Sequence, residues 1–255
     1  MKYALISDIH GNAPALAAVI ADIARRPEVS AIYHLGDLVG YGPAPNEVIG
    51  QLVDQAIAGV AGNYDSTTAT DHKHCGCRYE DPHQEALAHH SYQWTRDHVT
   101  PATRRYLGGL PFRIDLRPLG GHVAGPTVTL IHGSHVLNTV YVHEDRPDDF
   151  LETLGAAMRA KPGDVVCFGH THRPWHRIVD GVHYVNTGSV GKPKDGDWRA
   201  CYVLLDVTDS GVQVGFERVE YDVESVAGAI LACELPDEFA EQLRHGGKSA
   251  PVTGG

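Results

Sequence analysis

Seventeen histidines stand in a chain of 255 residues, and several of them neighbour glycine, aspartate or asparagine. Imidazole is a costly core filler and a good ligand for divalent transition metals. Five short apolar runs end in polar donors flanked by glycine: Ser7-Asp8-Ile9-His10, Gly36-Asp37, Gly62-Asn63, His132-Gly133 and Gly169-His170-Thr171-His172. Asp8 and His10 are two residues apart, as are His170 and His172, and alternate residues of an extended chain project to one side. Each pair can therefore address one centre, and the flanking glycines permit sharp turns without obstructing side chains. The set offers the carboxylates of Asp8 and Asp37, the imidazoles of His10, His132, His170 and His172, and the amide of Asn63. Such nitrogen and oxygen donors suit Mn, Fe, Zn, Ni or Co better than Ca or Mg. Seven donors exceed one tetrahedral ion, and they suit two ions with Asp37 between them. Two such ions, about 3.5–4 Å apart, lower the pKa of a shared water and clamp the oxygens of an in-line displacement at phosphorus. The expected reaction is hydrolysis of a phosphate ester by a metal-bridging hydroxide, in a site left with a net positive charge that attracts anions.

These donors need strands to position them. Lys2 to Ser7 reads as a buried strand, followed by a helix from Ala13 to about Arg26 with Asn12 as its cap and Leu16, Val19, Ile20 and Ile23 on one face. A strand at Ala31 to Leu35, a helix at Pro45 to Gln55 and a strand at Ile57 to Ala61 complete a layered α/β pattern with parallel strands. From Ser66 to about Leu110 the composition turns polar, with helical patterns at Pro82 to His98 and Pro101 to Leu107, which predicts a helical insertion or cap. Strands resume at Phe112 to Leu116 and Val128 to Ile131, and a helix follows at about Pro147 to Ala160. Further strands are expected at Val165 to Phe168, Trp175 to Val179, His183 to Asn186, Ala200 to Val207 and Val212 to Tyr221. Asp180-Gly181 reads as a hairpin turn. Helices at Val223 to Cys233 and Asp237 to Arg244 precede a tail, 246–255, too poor in apolar residues to fold. One domain over 1–245 with two packed sheets follows.

Composition narrows the function classes. Hydrophobic residues make up 42% and charged residues 21%, as in ordinary globular chains, which excludes wholesale disorder. No apolar stretch is long enough for a membrane span, and the first residues lack the apolar region of a signal peptide. A net charge of −11 disfavours duplex nucleic acid as a partner. Five cysteines without an export signal point to the reducing cytoplasm. A small phosphate ester is the expected partner, and the oligomeric state is left open.

The ordered motifs resemble the calcineurin-like metallophosphoesterase superfamily, whose pattern is Asp-x-His, Gly-Asp, Gly-Asn-His-Asp/Glu, His and Gly-His-x-His. Gly-Asp-Leu-Val-Gly-Tyr-Gly-Pro at 36–43 and Asn-Thr-Gly-Ser-Val-Gly at 186–191 are similar to a prokaryotic branch of predicted phosphoesterases. The resemblance implies a four-layer α/β/β/α sandwich of two mixed sheets flanked by helices, with metals at the strand ends. It assigns one ion to Asp8, His10, Asp37 and His172, and the other to Asp37, Asn63, His132 and His170. Manganese is the ion expected to serve in assays. The implied catalytic set is Asp37, Asn63, Tyr64 and His132.

Two departures modify that expectation. The family's Gly-Asn-His-Asp is Gly62-Asn63-Tyr64-Asp65 here. The histidine it replaces contacts the phosphate and protonates the leaving oxygen in the family, whereas a tyrosine near pKa 10 is a poor general acid at neutral pH. Weak action on alkyl leaving groups and tolerance of aryl oxides follow, unless Tyr64 only packs against substrate or cap. Leu38 to Gly42 also lack the arginine that protein phosphatases and symmetrical dinucleoside-tetraphosphate hydrolases carry after Gly-Asp. Both activities are thereby disfavoured against a phosphodiesterase or a broad phosphatase. A binding scaffold that keeps the fold without the chemistry is the alternative of another class. The loop 186–199 is a candidate phosphate-contacting rim. Asn63, Tyr64, Asn186, Ser189 and Arg199 are the proposed substrate contacts, with Lys192 and Lys194 nearby. His72, His74, Cys75 and Cys77 form either a small zinc or redox site or a solvated loop.

Overall fold

The computed structural model describes residues 1–79, 81–117, 125–208 and 210–248. Its hub is β1 (Lys2–Ile6), whose Tyr3-Ala4-Leu5-Ile6 run is buried throughout. A strand apolar on both faces requires cover on both. β1 pairs in parallel with β2 (Val29–His34) and antiparallel with β9 (Ala200–Thr208). β3 (Ala58–Gly59) and β10 (Gly211–Val219) form the edges, giving the order β10-β9-β1-β2-β3. The second sheet contains β4 (Ile114–Leu116), β5 (Val128–Leu130), β6 (Val165–Phe168), β7 (Trp175–Val179) and β8 (Val182–Asn186), ordered β4-β5-β6-β8-β7.

Alternation along the strands sorts side chains into three layers of core. Tyr3 and Leu5 of β1 meet Val128, Leu130, Val165 and Cys167 between the sheets. Ala4 and Ile6 face the other way, against α1 (Ala13–Ala24) and α2 (Pro45–Asp54), which contribute Leu16, Val19, Val48 and Leu52. Val166, Phe168 and Tyr184 on the outer face of the second sheet receive Leu151, Leu154 and Met158 of α6 (Asp148–Met158). Each fully buried leucine or isoleucine contributes about 1.5–3 kcal/mol. The result is the four-layer α/β/β/α sandwich that the motif pattern implies.

Between β3 and β4 the chain forms α3 (Asn63–Ala69), α4 (Pro82–His98) and α5 (Pro101–Gly108). The Asp81 side chain caps α4 by accepting from His83 N–H at 2.9 Å, and Pro82 occupies its first position, where no amide is needed. Ala88, Ser91, Tyr92 and Thr95 form its buried stripe at helical spacing. Trp94 packs on α7 (Val223–Leu231) and α8 (Glu238–Arg244) through Val226, Ile230, Phe239 and Leu243. The Asp180-Gly181 turn joins β7 to β8 with both residues at positive φ, 49° and 76°, as a tight hairpin demands. At the C-terminus, Gly246 O accepts from Gly196 N–H at 2.9 Å, so the expected tail is anchored where it begins, and 249–255 lie outside the described residues. Among the described residues no helix is long and apolar enough to cross a membrane.

Candidate metal centre

The segments that follow five strands, β1, β2, β3, β5 and β6, bring donors to one edge of this double sheet. The loop after β1 carries Asp8 and His10, that after β2 carries Asp37, and α3 opens with Asn63. The second sheet supplies His132 after β5, and His170 and His172 after β6. All seven side chains are buried, none more than 3% exposed. Donor atoms of Asp8, His10 and His172 gather within 4.8 Å of one another, and so do those of Asp37, His132 and His170.

Asp37 joins the two triads. Its Oδ2 lies 3.7 Å from His10 Nε2 and 3.4 Å from His132 Nε2, one imidazole from each group. Its Oδ1 accepts from Tyr64 N–H at 2.9 Å, which fixes the carboxylate plane. Asp8 is held likewise: Oδ2 accepts from Ser7 Oγ at 2.7 Å and from His170 N–H at 3.0 Å. Its Oδ1 is 3.2 Å from His172 Nε2.

The second ring nitrogens set the tautomers. Nδ1–H of His10 donates to Val39 O at 3.0 Å, that of His132 to Leu35 O at 2.7 Å, and that of His172 to Lys192 O at 2.5 Å. Carbonyl oxygen can only accept, so each of these rings, when neutral, presents its Nε2 lone pair to the site. Burial and the neighbouring His172 hold His10 neutral, down to about 3, and burial likewise depresses His170 and His172. His132 is the exception: burial opposes its charge, but Asp37 beside it raises it to about 9.

Whether the donor set fits metal ions is decided by its orphaned atoms. Asp8 Oδ1, Asn63 Oδ1, His132 Nε2 and His170 Nε2 are buried without any hydrogen-bond partner. Leaving such atoms unpaired costs about 1–3 kcal/mol each. Four unpaired atoms of metal-binding type, converging from both sheets, fit a cationic occupant. Backbone strain marks the same spots. Asp8, His10, Asp37, His170 and His172 all have positive φ, between 49° and 67°, a conformation costing about 1 kcal/mol or more for a residue with a side chain. Two glycines admit the carboxylates. A Cβ on Gly62 would stand 2.1 Å from Asp37 Oδ1, and one on Gly169 2.4 Å from Asp8 Oδ2.

Asn63 and Tyr64 occupy the first turn of α3. Asn63 Nδ2 donates to Cys75 O at 3.0 Å and Cys77 Sγ at 3.1 Å, which turns Oδ1 to the unpartnered side. Tyr64 is 1% exposed, its hydroxyl has no partner, and burial raises its pKa well above the usual tyrosine value. Among the described residues the two triads are the only clusters of three or more metal-binding side chains, so His72, His74, Cys75 and Cys77 do not form a third. The other proposed substrate contacts are engaged within the protein. Asn186 Nδ2 donates to Gly169 O at 2.6 Å while its Oδ1 accepts from Gly188 N–H at 3.0 Å. Ser189 Oγ donates to Asp8 O at 2.7 Å, and Arg199 makes a two-pronged pair with Asp197. One residue escaped the sequence reading. Asp65 is completely buried, and its carboxylate accepts from Leu38 N–H and Gly62 N–H, both at 2.9 Å, tying the Asp37 loop to the start of α3. Burial and the nearby Asp37 push its pKa up to about 7.

Two mixed sheets that bring two candidate metal-binding triads together at one aspartate define the class of protein as an α/β/β/α sandwich with a candidate metal site at its strand ends. The profile of the calcineurin-like phosphoesterase superfamily domain matches residues 1–210. The chain belongs to that superfamily. An uncharacterized protein of Methanocaldococcus jannaschii is 29% identical over 263 residues, covering 94% of this chain and 96% of that one. A metallophosphoesterase from Sphaerobacter thermophilus of known structure is 27% identical, with a TM-score of 0.73 over 96% of this chain and 99% of the other. A hypothetical protein of Pyrococcus horikoshii, 25% identical, superposes with a TM-score of 0.81 over 97% and 99% of the two chains.

Proposed function

We propose that this protein is a dinuclear metal-dependent hydrolase of small phosphate esters, acting as a phosphodiesterase or a broad phosphatase. The observation that carries the reading is the position of Asp37 Oδ2 within 4 Å of a histidine from each triad. One ion falls to Asp8, His10, Asp37 and His172, and the other to Asp37, Asn63, His132 and His170. Bound there, two divalent ions supply Lewis acidity and an activated water for in-line displacement at phosphorus. Transition metals of the manganese, iron, zinc, nickel or cobalt type match the mixed nitrogen and oxygen donors.

The protein's own groups set the limits of that chemistry. Fixed tautomers keep the imidazole lone pairs aimed inward without reorganisation. Tyr64, buried and with its pKa raised, offers no proton to a leaving oxygen near neutral pH. Leaving groups that depart without protonation, such as aryl oxides, are therefore favoured over alkoxides.

The test is hydrolysis of an aryl phosphate ester with manganese present, comparing the natural protein with Asp37→Ala. The reading expects turnover that falls at least about a thousandfold in the variant, since both ions lose a ligand at once. Undiminished turnover in Asp37→Ala contradicts it, and a natural protein that binds manganese without hydrolysing any ester favours a binding scaffold. Matched aryl monoester and diester substrates separate phosphatase from phosphodiesterase.

A further inference from the structure

A cavity of about 270 Å³ abuts the two triads, walled by Tyr41, Tyr79, Tyr141, Lys192, Lys194 and Gln242. It shares its walls with the donors. The Tyr141 ring stacks on His170 with centroids 4.1 Å apart, and the Tyr41 ring meets His10 edge-on at 4.9 Å. Lys194 N–H donates to His172 O at 3.2 Å, which sets that residue beside the first triad.

The two lysines differ in what they do. Lys192 is committed: its ammonium donates to Gln242 Oε1 at 2.6 Å and lies 4.8 Å over the Tyr41 ring and 5.2 Å over Phe239. The Lys194 ammonium has, among the described residues, no hydrogen-bond acceptor and no ion pair. Burial lowers its pKa, against the opposing pull of Cys77, Asp8 and Asp37. The remaining polar groups of the loop 186–199 are used up, because Asn186 and Ser189 bond to backbone and Arg199 pairs with Asp197. A half-buried, uncommitted ammonium in the wall of a cavity beside the triads favours an anionic partner.

We propose that Lys194 is the residue that holds the phosphoryl oxygens of the substrate, with the leaving group lying in the tyrosine-walled cavity. This rests on the phosphate-ester reading above. The chemistry is a charge-assisted hydrogen bond from an ammonium to a phosphate oxygen, at a position where Tyr64 supplies none.

The experiment measures binding of inorganic phosphate to the manganese-loaded protein by calorimetry, together with manganese content and aryl-ester kinetics. Lys194→Met is expected to weaken phosphate binding about 10- to 100-fold with manganese content unchanged. Lys194→Arg recovers most of that loss. Unaltered phosphate affinity in Lys194→Met overturns the inference, as does a loss that tracks a loss of manganese, which marks a structural role. Should the natural protein hydrolyse no ester while phosphate binding still depends on Lys194, the hydrolase reading fails and the anion site stands.

Discussion

His34 shares complete burial with the four donor histidines, yet nothing recruits its nitrogens. Its Nδ1 has no partner, and its Nε2 meets the Tyr106 hydroxyl only at 3.5 Å. Burial holds its pKa down to about 3. The unfolded chain therefore takes up a proton near pH 6.5 that the folded protein refuses, and stability contributed by neutral His34 is present above pH 6.5 and lost as pH falls towards 3. Between pH 7.5 and 5.5 this amounts to about 1.4 kcal/mol. Urea unfolding of the metal-free protein at those two pH values, compared with His34→Leu, should show the variant losing less stability by about that amount. An identical pH dependence in the two proteins contradicts the assignment. Residue type and spacing made the convergence of these candidate donors legible, because Asp-x-His and His-x-His at the ends of apolar runs leave few other uses for such groups. Nothing in type or spacing separates His34 from a ligand. Its sequence neighbour Leu35 even supplies the carbonyl that orients His132, and only the folded geometry distinguishes the two roles.

At the scale of elements, the helices of the insertion were readable where their punctuation is strong. Asp81-Pro82 starts α4 and Thr100-Pro101 starts α5, each with a capping side chain that accepts from the following turn. α3 carries no such signal. Asn63-Tyr64-Asp65-Ser66-Thr67-Thr68-Ala69 is short and polar, with Gly62 as its cap, so it reads as loop. What stabilises it is Asp65, whose second amide partner, Leu38 N–H, is 27 residues away in the chain. A long-range bond of that kind leaves no local pattern. β3 spans two residues, and a Cβ on Gly59 would stand 2.0 Å from His34 O, so close packing against β2 dictates glycine there. Asp65→Ala removes the acceptor of two buried amides, a loss of about 1–3 kcal/mol for each. Denaturant unfolding should register it, and manganese affinity should fall alongside because Asp37 and Asn63 lose their common brace. A variant with natural stability and manganese affinity would show that α3 is held by packing alone.

The whole molecule is arranged so that two sheets of different origin in the chain meet over one point. The first sheet brings Asp8, His10 and Asp37, the second brings His132, His170 and His172, and the core between them, from Tyr3 and Leu5 to Val165 and Cys167, fixes their separation. Neither sheet holds a complete set of donors. The donor set is therefore complete only when the sheets are docked, and cations that bind only the docked state add to its stability. The most direct measurement is anomalous diffraction from crystals grown in manganese. The account predicts two peaks, about 3.5–4 Å apart, on either side of the Asp37 carboxylate, one among Asp8, His10 and His172 and the other among Asn63, His132 and His170. A single peak, or two peaks that do not share Asp37, would contradict it.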